Sequence, residues 1–251
     1  MSGHSKWHSI KHKKGAADKK RGKLFAVFIR QIEVSARSGG GDIDGNPTLR
    51  TMVAKARDNS VPNDTIDRAI KRGTGELEGV TYEEIAYEGY APNGVAVYVQ
   101  TLSDNRNRTG AEIKNLFARN GGSFAEPGAV AWQFDRKGSL QIDAADGLTE
   151  DDILLVALDA GADDLVDLGG SFQVITPPAE LHAVRAAMED AGIAVAGGDL
   201  VMIPSQTVPL DDASAARAVL RLIDALEDHD DTEAVYANFD IPDDVLEAAM
   251  A

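Results

Sequence analysis

The 251-residue chain contains no cysteine, which excludes disulfides, thiolate catalysis and cysteine-ligated zinc or iron–sulfur centres. It has no apolar run near the roughly 20 residues needed to span a bilayer, and Met1-Ser2-Gly3-His4-Ser5-Lys6 leads into no signal-type apolar stretch. The expectation is a cytoplasmic protein without membrane contact. Positive charge is also scarce: 25 Lys and Arg stand against 41 Asp and Glu, a net of −16. Hydrophobic residues still make up 43%, enough for real cores. The length exceeds one average domain of roughly 100–200 residues.

The few cations are unevenly placed. Residues 1–80 carry 16 Lys and Arg against 9 acids, a net of +7, while residues 81–251 carry 9 against 32, a net of −23. Within residues 1–23, Asp18 is the only acid among Lys6, Lys11, Lys13, Lys14, Lys19, Lys20, Arg21 and Lys23. A basic arm on an acidic body is the pattern of a polyanion-binding protein. A solvated tail without a partner is the plainer alternative.

Hydrophobic spacing divides the chain. Leu24, Phe28 and Ile32 recur every four residues in a helix running from Ala16 or Asp18 to Ser38. Lys23, Arg30 and Arg37 recur every seven, on another face that reads as solvated. Asn46-Pro47 opens a second helix as N-cap and first position, and Pro62 opens a third that ends at Gly73. Gly75 and Gly79 mark a linker that would let this part reorient. Strands follow at 82–90 and 95–102 around Ala91-Pro92-Asn93-Gly94, then a helix at 108–120 and a strand at 130–134. From Gly138 the order is β-α-β-β-α-β, closed within 203. A helix, a strand and a short helix after Pro242 complete the earlier, unbalanced sheet. The expectation is an α+β protein: a helical domain at 1–78, a discontinuous α+β domain at 79–136 and 204–251, and an inserted ferredoxin-like domain at 137–203.

Catalytic and metal motifs fail on inspection. Gly15 to Gly22-Lys23 has six residues between the glycines and Leu24 after the lysine, so it is no phosphate loop. His4, His8 and His12 share a spacing of four but have no carboxylates beside them, so they read as surface imidazoles. His182 and His229 show no catalytic partner. The paired acids Asp151-Asp152, Asp163-Asp164, Asp211-Asp212 and Asp243-Asp244 fall at or near helix starts or turns, where capping accounts for most of them. No enzyme, metal or cofactor is expected. Two basic clusters remain. In the first, Lys6, Lys11, Lys13, Lys14, Lys19, Lys20, Arg21 and Lys23 surround Trp7, whose ring could stack on a base. The second is the loop Asp104-Asn105-Arg106-Asn107-Arg108-Thr109, which could bind phosphate through Arg106 and Arg108 or merely cap the helix after it.

Ser2 to Trp7, Ile10 to Lys14, Arg68 to Gly73, Tyr87 to Tyr90, Thr101 to Thr109, Asn120-Gly121-Gly122 and Ala131-Trp132-Gln133-Phe134 resemble the YebC/PmpR family. The likeness is dense to about Gly138 and weaker beyond. It implies three domains and a cytoplasmic, non-enzymatic DNA-binding transcriptional regulator. Related members, the mitochondrial translational activator of cytochrome c oxidase among them, act at the ribosome. The partner expected is therefore DNA, with ribosomal RNA or the ribosome as the alternative. A lysine-rich cluster suits either, because it grips phosphate rather than reading bases.

Overall fold

The computed structural model describes residues 17–145 and 148–250. Three helices come first: α1 (Ala17–Gly39), α2 (Pro47–Asp58) and α3 (Asn63–Gly73). Phe28, Ile32 and Ala36 of α1 meet Leu49, Val53, Ile66 and Ala69 in one core. Leu24 departs from the expected stripe and lies exposed, one turn short of the region α2 and α3 cover. Asn46 is the N-cap that Pro47 predicts: its Oδ1 accepts the Leu49 N–H at 3.1 Å. Its Nδ2 also donates to the carbonyls of Ser35 (2.8 Å) and Gly40 (2.9 Å), tying α1 to α2. Asn46→Ala should therefore cost about 2 kcal/mol, the upper end for a lost cap. In thermal unfolding that is a drop of about 4–8 °C.

Gly73 ends α3 for a different reason from the one its position suggests. It is still helical, and the residue after it, Thr74, is right-handed. A Cβ there would lie 2.5 Å from the Glu33 carbonyl of α1. The glycine permits close helix packing and is no left-handed cap.

Next come β1 (Glu83–Tyr90), β2 (Ala96–Ser103), α4 (Arg106–Arg119) and β3 (Ser123–Ala125). The β1–β2 turn is tight because Asn93 and Gly94 both take positive φ, 64° and 75°. The chain then leaves through β4 (Phe134–Asp143), α5 (Glu150–Asp159), β5 (Asp164–Asp167), β6 (Ser171–Thr176), α6 (Leu181–Asp190) and β7 (Gly197–Pro204). It returns as β8 (Val208–Pro209), α7 (Ala213–Glu227), β9 (Thr232–Ala237), β10 (Phe239–Asp240) and α8 (Asp243–Met250).

The first sheet has the order β3-β1-β2-β9 and the other large sheet β5-β6-β4-β7, both antiparallel. The second order is that of a split β-α-β ferredoxin-like unit. Since β9 pairs with β2 across this excursion, the unit is inserted. The fold is α+β, a three-helix domain followed by two α+β domains, the third ferredoxin-like and inserted into the second. Val99, Ile113, Phe117, Leu222, Ile223 and Phe239 lead the second domain's core, and Leu140, Ile142, Ile153, Val174 and Met188 the third's. Among the described residues, no helix is long and apolar enough to cross a membrane.

Two local expectations change. Residues 131–133 form a 3-10 turn rather than a strand, and β4 starts only at Phe134. Two of the acid pairs serve helix caps: Asp212 accepts the Ala215 N–H at 2.8 Å, and Thr149 and Asp152 form a reciprocal capping box, while Asp163-Asp164 leads into β5 and Asp163 pairs with Lys137.

Candidate nucleic-acid interface

Of the first basic cluster, Lys6, Trp7, Lys11, Lys13 and Lys14 lie outside the described residues, as do His4, His8 and His12. Lys19, Lys20 and Arg21 fall in the opening turns of α1. Lys23 is engaged by the protein itself: its Nζ donates to the Glu227 carbonyl and, at 2.6 Å, to that of His229. Burial pushes its ammonium below the ordinary lysine value, against the charges of Asp228, Asp230 and Glu227. Its heptad companions also donate to carbonyls. Arg30 donates to the Asp230 carbonyl and lies 3.6 Å from the Asp231 carboxylate, and Arg37 donates to the Val80 carbonyl at 3.0 Å. Lys23 and Arg30 are therefore not solvated, whereas Arg37 remains exposed. The first two dock α1 on the acidic loop after α7, a partner some 200 residues away that periodicity cannot reveal.

Other cations of the helical domain are held too. Arg72 pairs with buried Glu33 at 2.5 Å, and Lys55 of α2 meets Asp199 of β7. Burial, helped by Arg185, lowers the Lys55 ammonium to about 8. Ionic contacts thus run from the helical domain to both acidic domains. Residues 74–80 between them are exposed, and carry two hydrogen bonds: Arg37 donates to the Val80 carbonyl, and the Leu77 N–H to the Lys71 carbonyl at 3.1 Å.

The second cluster is built around Asp231. Asn105 caps α4 by accepting the Arg108 N–H at 3.1 Å. The Arg108 guanidinium donates to Asp104 (2.9 Å) and Asp231 (2.7 Å), and Thr109 donates to the same Asp231 oxygen at 2.6 Å. Burial opposes the charge of Asp231, but these bonds and Arg108 outweigh it and hold the carboxyl below its usual range. Arg106 is exposed; its carbonyl accepts the Tyr87 hydroxyl. The structure places Arg108 in an internal ion pair and leaves the Arg106 side chain outward.

His229, isolated in sequence, lies 2.9 Å from Glu112, and Glu112, His229 and Asp231 bring their ligand atoms within 4.8 Å of one another. Arg108 and Arg30 already neutralise Asp231, so the trio reads as an ion-pair network rather than a metal centre.

Sequence reasoning missed one feature. Glu88, a charged residue only 5% exposed, sits in the middle of β1. Its carboxylate accepts the N–H groups of Gly128 (2.6 Å), Val130 (2.6 Å) and Ala131 (2.8 Å). Tyr90 donates to the Ala129 carbonyl at 3.1 Å. This buried anion pulls residues 128–131 out of strand geometry and fixes the turn that carries Trp132, which is 75% exposed. The sequence signal was that tryptophan's place within Ala131-Trp132-Gln133-Phe134.

Residues 5–76 match the family model described as the TACO1/YebC protein N-terminal domain, and residues 82–239 match that of the TACO1/YebC second and third domain. A probable transcriptional regulatory protein of Mycolicibacterium smegmatis is 55% identical, over 98% of this chain and 97% of that one. Another of the same description from Halothermothrix orenii is 52% identical over 98% of both chains. The crystal structure of a conserved hypothetical protein from Aquifex aeolicus superposes with a TM-score of 0.85 at 41% identity, covering 93% of this chain and 96% of that one.

Proposed function

Because the chain belongs to the TACO1/YebC family, we propose that it is a cytoplasmic, non-enzymatic regulator of transcription that binds DNA by gripping the phosphate backbone through its lysine-rich N-terminal end. The observation that carries this reading is the charge split, +7 in residues 1–80 against −23 beyond them. Lys23, Arg30, Lys55 and Arg72 are held by the protein's own acids and carbonyls, so the reading rests on the lysines that precede Lys23 in the sequence. The relatives are named probable transcriptional regulatory proteins, and a regulator of transcription that grips phosphates is read here as acting on DNA.

The test is a salt titration. If about five phosphates are neutralised, the log–log slope for duplex DNA is about −4. Replacing Lys11, Lys13, Lys14, Lys19 and Lys20 with alanine should flatten it and weaken binding on the order of a hundredfold at low salt. Unchanged affinity would refute the reading.

A second reading is binding to the ribosome, for which the exposed Arg106 offers a further RNA contact in the second domain, while the surface of α3 speaks against reading a duplex groove. Helices α2 and α3 join through a short turn, as in a DNA-reading helix pair. The second helix of such a pair normally sends its N-terminal residues into the major groove. Here the exposed first turns of α3 carry Asp64 and Asp67, which phosphates would repel. Co-sedimentation of the wild-type protein with ribosomes at low salt, lost with Arg106→Ala, would favour this reading over duplex DNA.

A further inference from the structure

We propose that Trp132 is a stacking platform for an unpaired nucleobase, a binding site in the second domain separate from the lysine-rich end. The inference deepens the nucleic-acid reading and rests on it.

The turn seats Val130 beside Phe134 and Ala96 in a small core and leaves one large ring outside it. The side chain of Glu88, only 5% exposed, accepts three backbone N–H groups, and the turn they hold in place carries a ring left 75% in solvent. Burying a charge is expensive unless it is fully hydrogen-bonded. Here the bonds fix one conformation of residues 128–131.

The chemistry left to a partner is narrow. The indole Nε1–H donates to the Ala129 carbonyl at 3.0 Å, so the polar edge is used within the turn. What remains is the π-face. A protein partner would need a contiguous apolar patch around such an anchor. Beside the turn on the β4–β7 ladder, Met202, Ile203 and Pro204 are half-buried, and the ring of Trp132 stands out from them. A base needs only one ring, and stacking is worth about 1–3 kcal/mol per base whatever the sequence.

Charge fits as well. Arg136 is exposed on β4, on the same side of the strand as Phe134. Two strand residues cover about 7 Å. A guanidinium one alternate position beyond the turn can meet the phosphate of a base held on the ring. A paired base cannot reach the platform, since its faces are covered by its neighbours in the duplex, so the ligand is single-stranded or looped-out nucleic acid.

The test compares wild type with Trp132→Ala on one single-stranded oligonucleotide, in ribose and deoxyribose forms, and on its duplex. Single-strand affinity should fall about tenfold, within the range of one stacked base, while duplex affinity holds. Trp132→Phe should recover most of the loss, and melting temperatures should agree. Trp7 and Trp132 are the only tryptophans. In a Trp7→Phe background, the single strand should therefore quench the remaining fluorescence and the duplex should not. If Trp132→Ala leaves single-strand affinity unchanged while the lysine variant loses it, the stacking site is refuted and the nucleic-acid reading stands. If wild type binds neither oligonucleotide, both fall.

Discussion

Asp231→Ala should lower the melting temperature of the second domain by about 6–20 °C, the largest loss expected from one substitution here. The carboxylate accepts from Arg108 and Thr109 and lies beside Arg30, so it joins α4, the loop after α7 and α1. Removing one partner of a buried ion pair costs about 3–5 kcal/mol, because the charge left behind has nothing to meet it. In a protein of this size each kcal/mol is about 2–4 °C. Arg108 is 44% exposed and can rehydrate, but Arg30 is only 12% exposed, so Arg30 carries most of the penalty. The effect is also pH-dependent. A carboxyl held below its unfolded value, about 3.9, stabilises the fold above that pH, and the contribution is lost as pH falls through the folded value. The gap between wild type and variant should thus be full at pH 7 and narrow at pH 3. A shift below about 2 °C at pH 7 would mean that the Asp231 contacts contribute little.

The same residue shows what a sequence reader can and cannot see. Helix α1 is legible because Phe28 and Ile32 repeat at its period, and α2 because Asn46-Pro47 is a local start signal. The insertion is legible from strand and helix order alone. Each of these signals lies within a few residues of what it specifies. Lys23 and Arg30 look solvated because a period reports which face they share, not what covers it; the cover is Glu227 to Asp231, about 200 positions on. Arg108 looked available for phosphate until Asp231 came beside it. Glu88 is a glutamate in a strand, and only the folded chain places three N–H groups around it. What was missed is electrostatic and long-range, and it moves two arms of the expected interface, Lys23 and Arg108, into the protein's own framework.

That framework contains one group working against it, Glu233, and Glu233→Gln should stabilise the protein by about 2–3 kcal/mol at pH 8. Burial pushes this carboxyl up to about 7, and Glu84 adds to the shift, while the hydrogen bond from Gln31 of α1 and the charge of Arg30 only partly oppose it. One of its oxygens is buried without a hydrogen-bond partner. Unfolded, a glutamate titrates at about 4.3. Between that value and about 7 the folded state binds more protons than the unfolded one, so stability falls as pH rises. A displacement of this size, at about 1.4 kcal/mol per pH unit, gives a loss of up to about 4 kcal/mol, complete above pH 7 and absent below pH 4. Glutamine keeps the oxygen that accepts from Gln31 and has no charge to desolvate. The variant and wild type should therefore match at pH 4 and diverge steadily to pH 8, where the variant melts about 4–12 °C higher. Because Gln31 lies on α1, the gain should also appear as slower proteolysis between the helical domain and the strands at pH 8. A variant less stable than wild type at pH 8, or one with the same pH profile, would show that Glu233 is not the group that titrates at this seam.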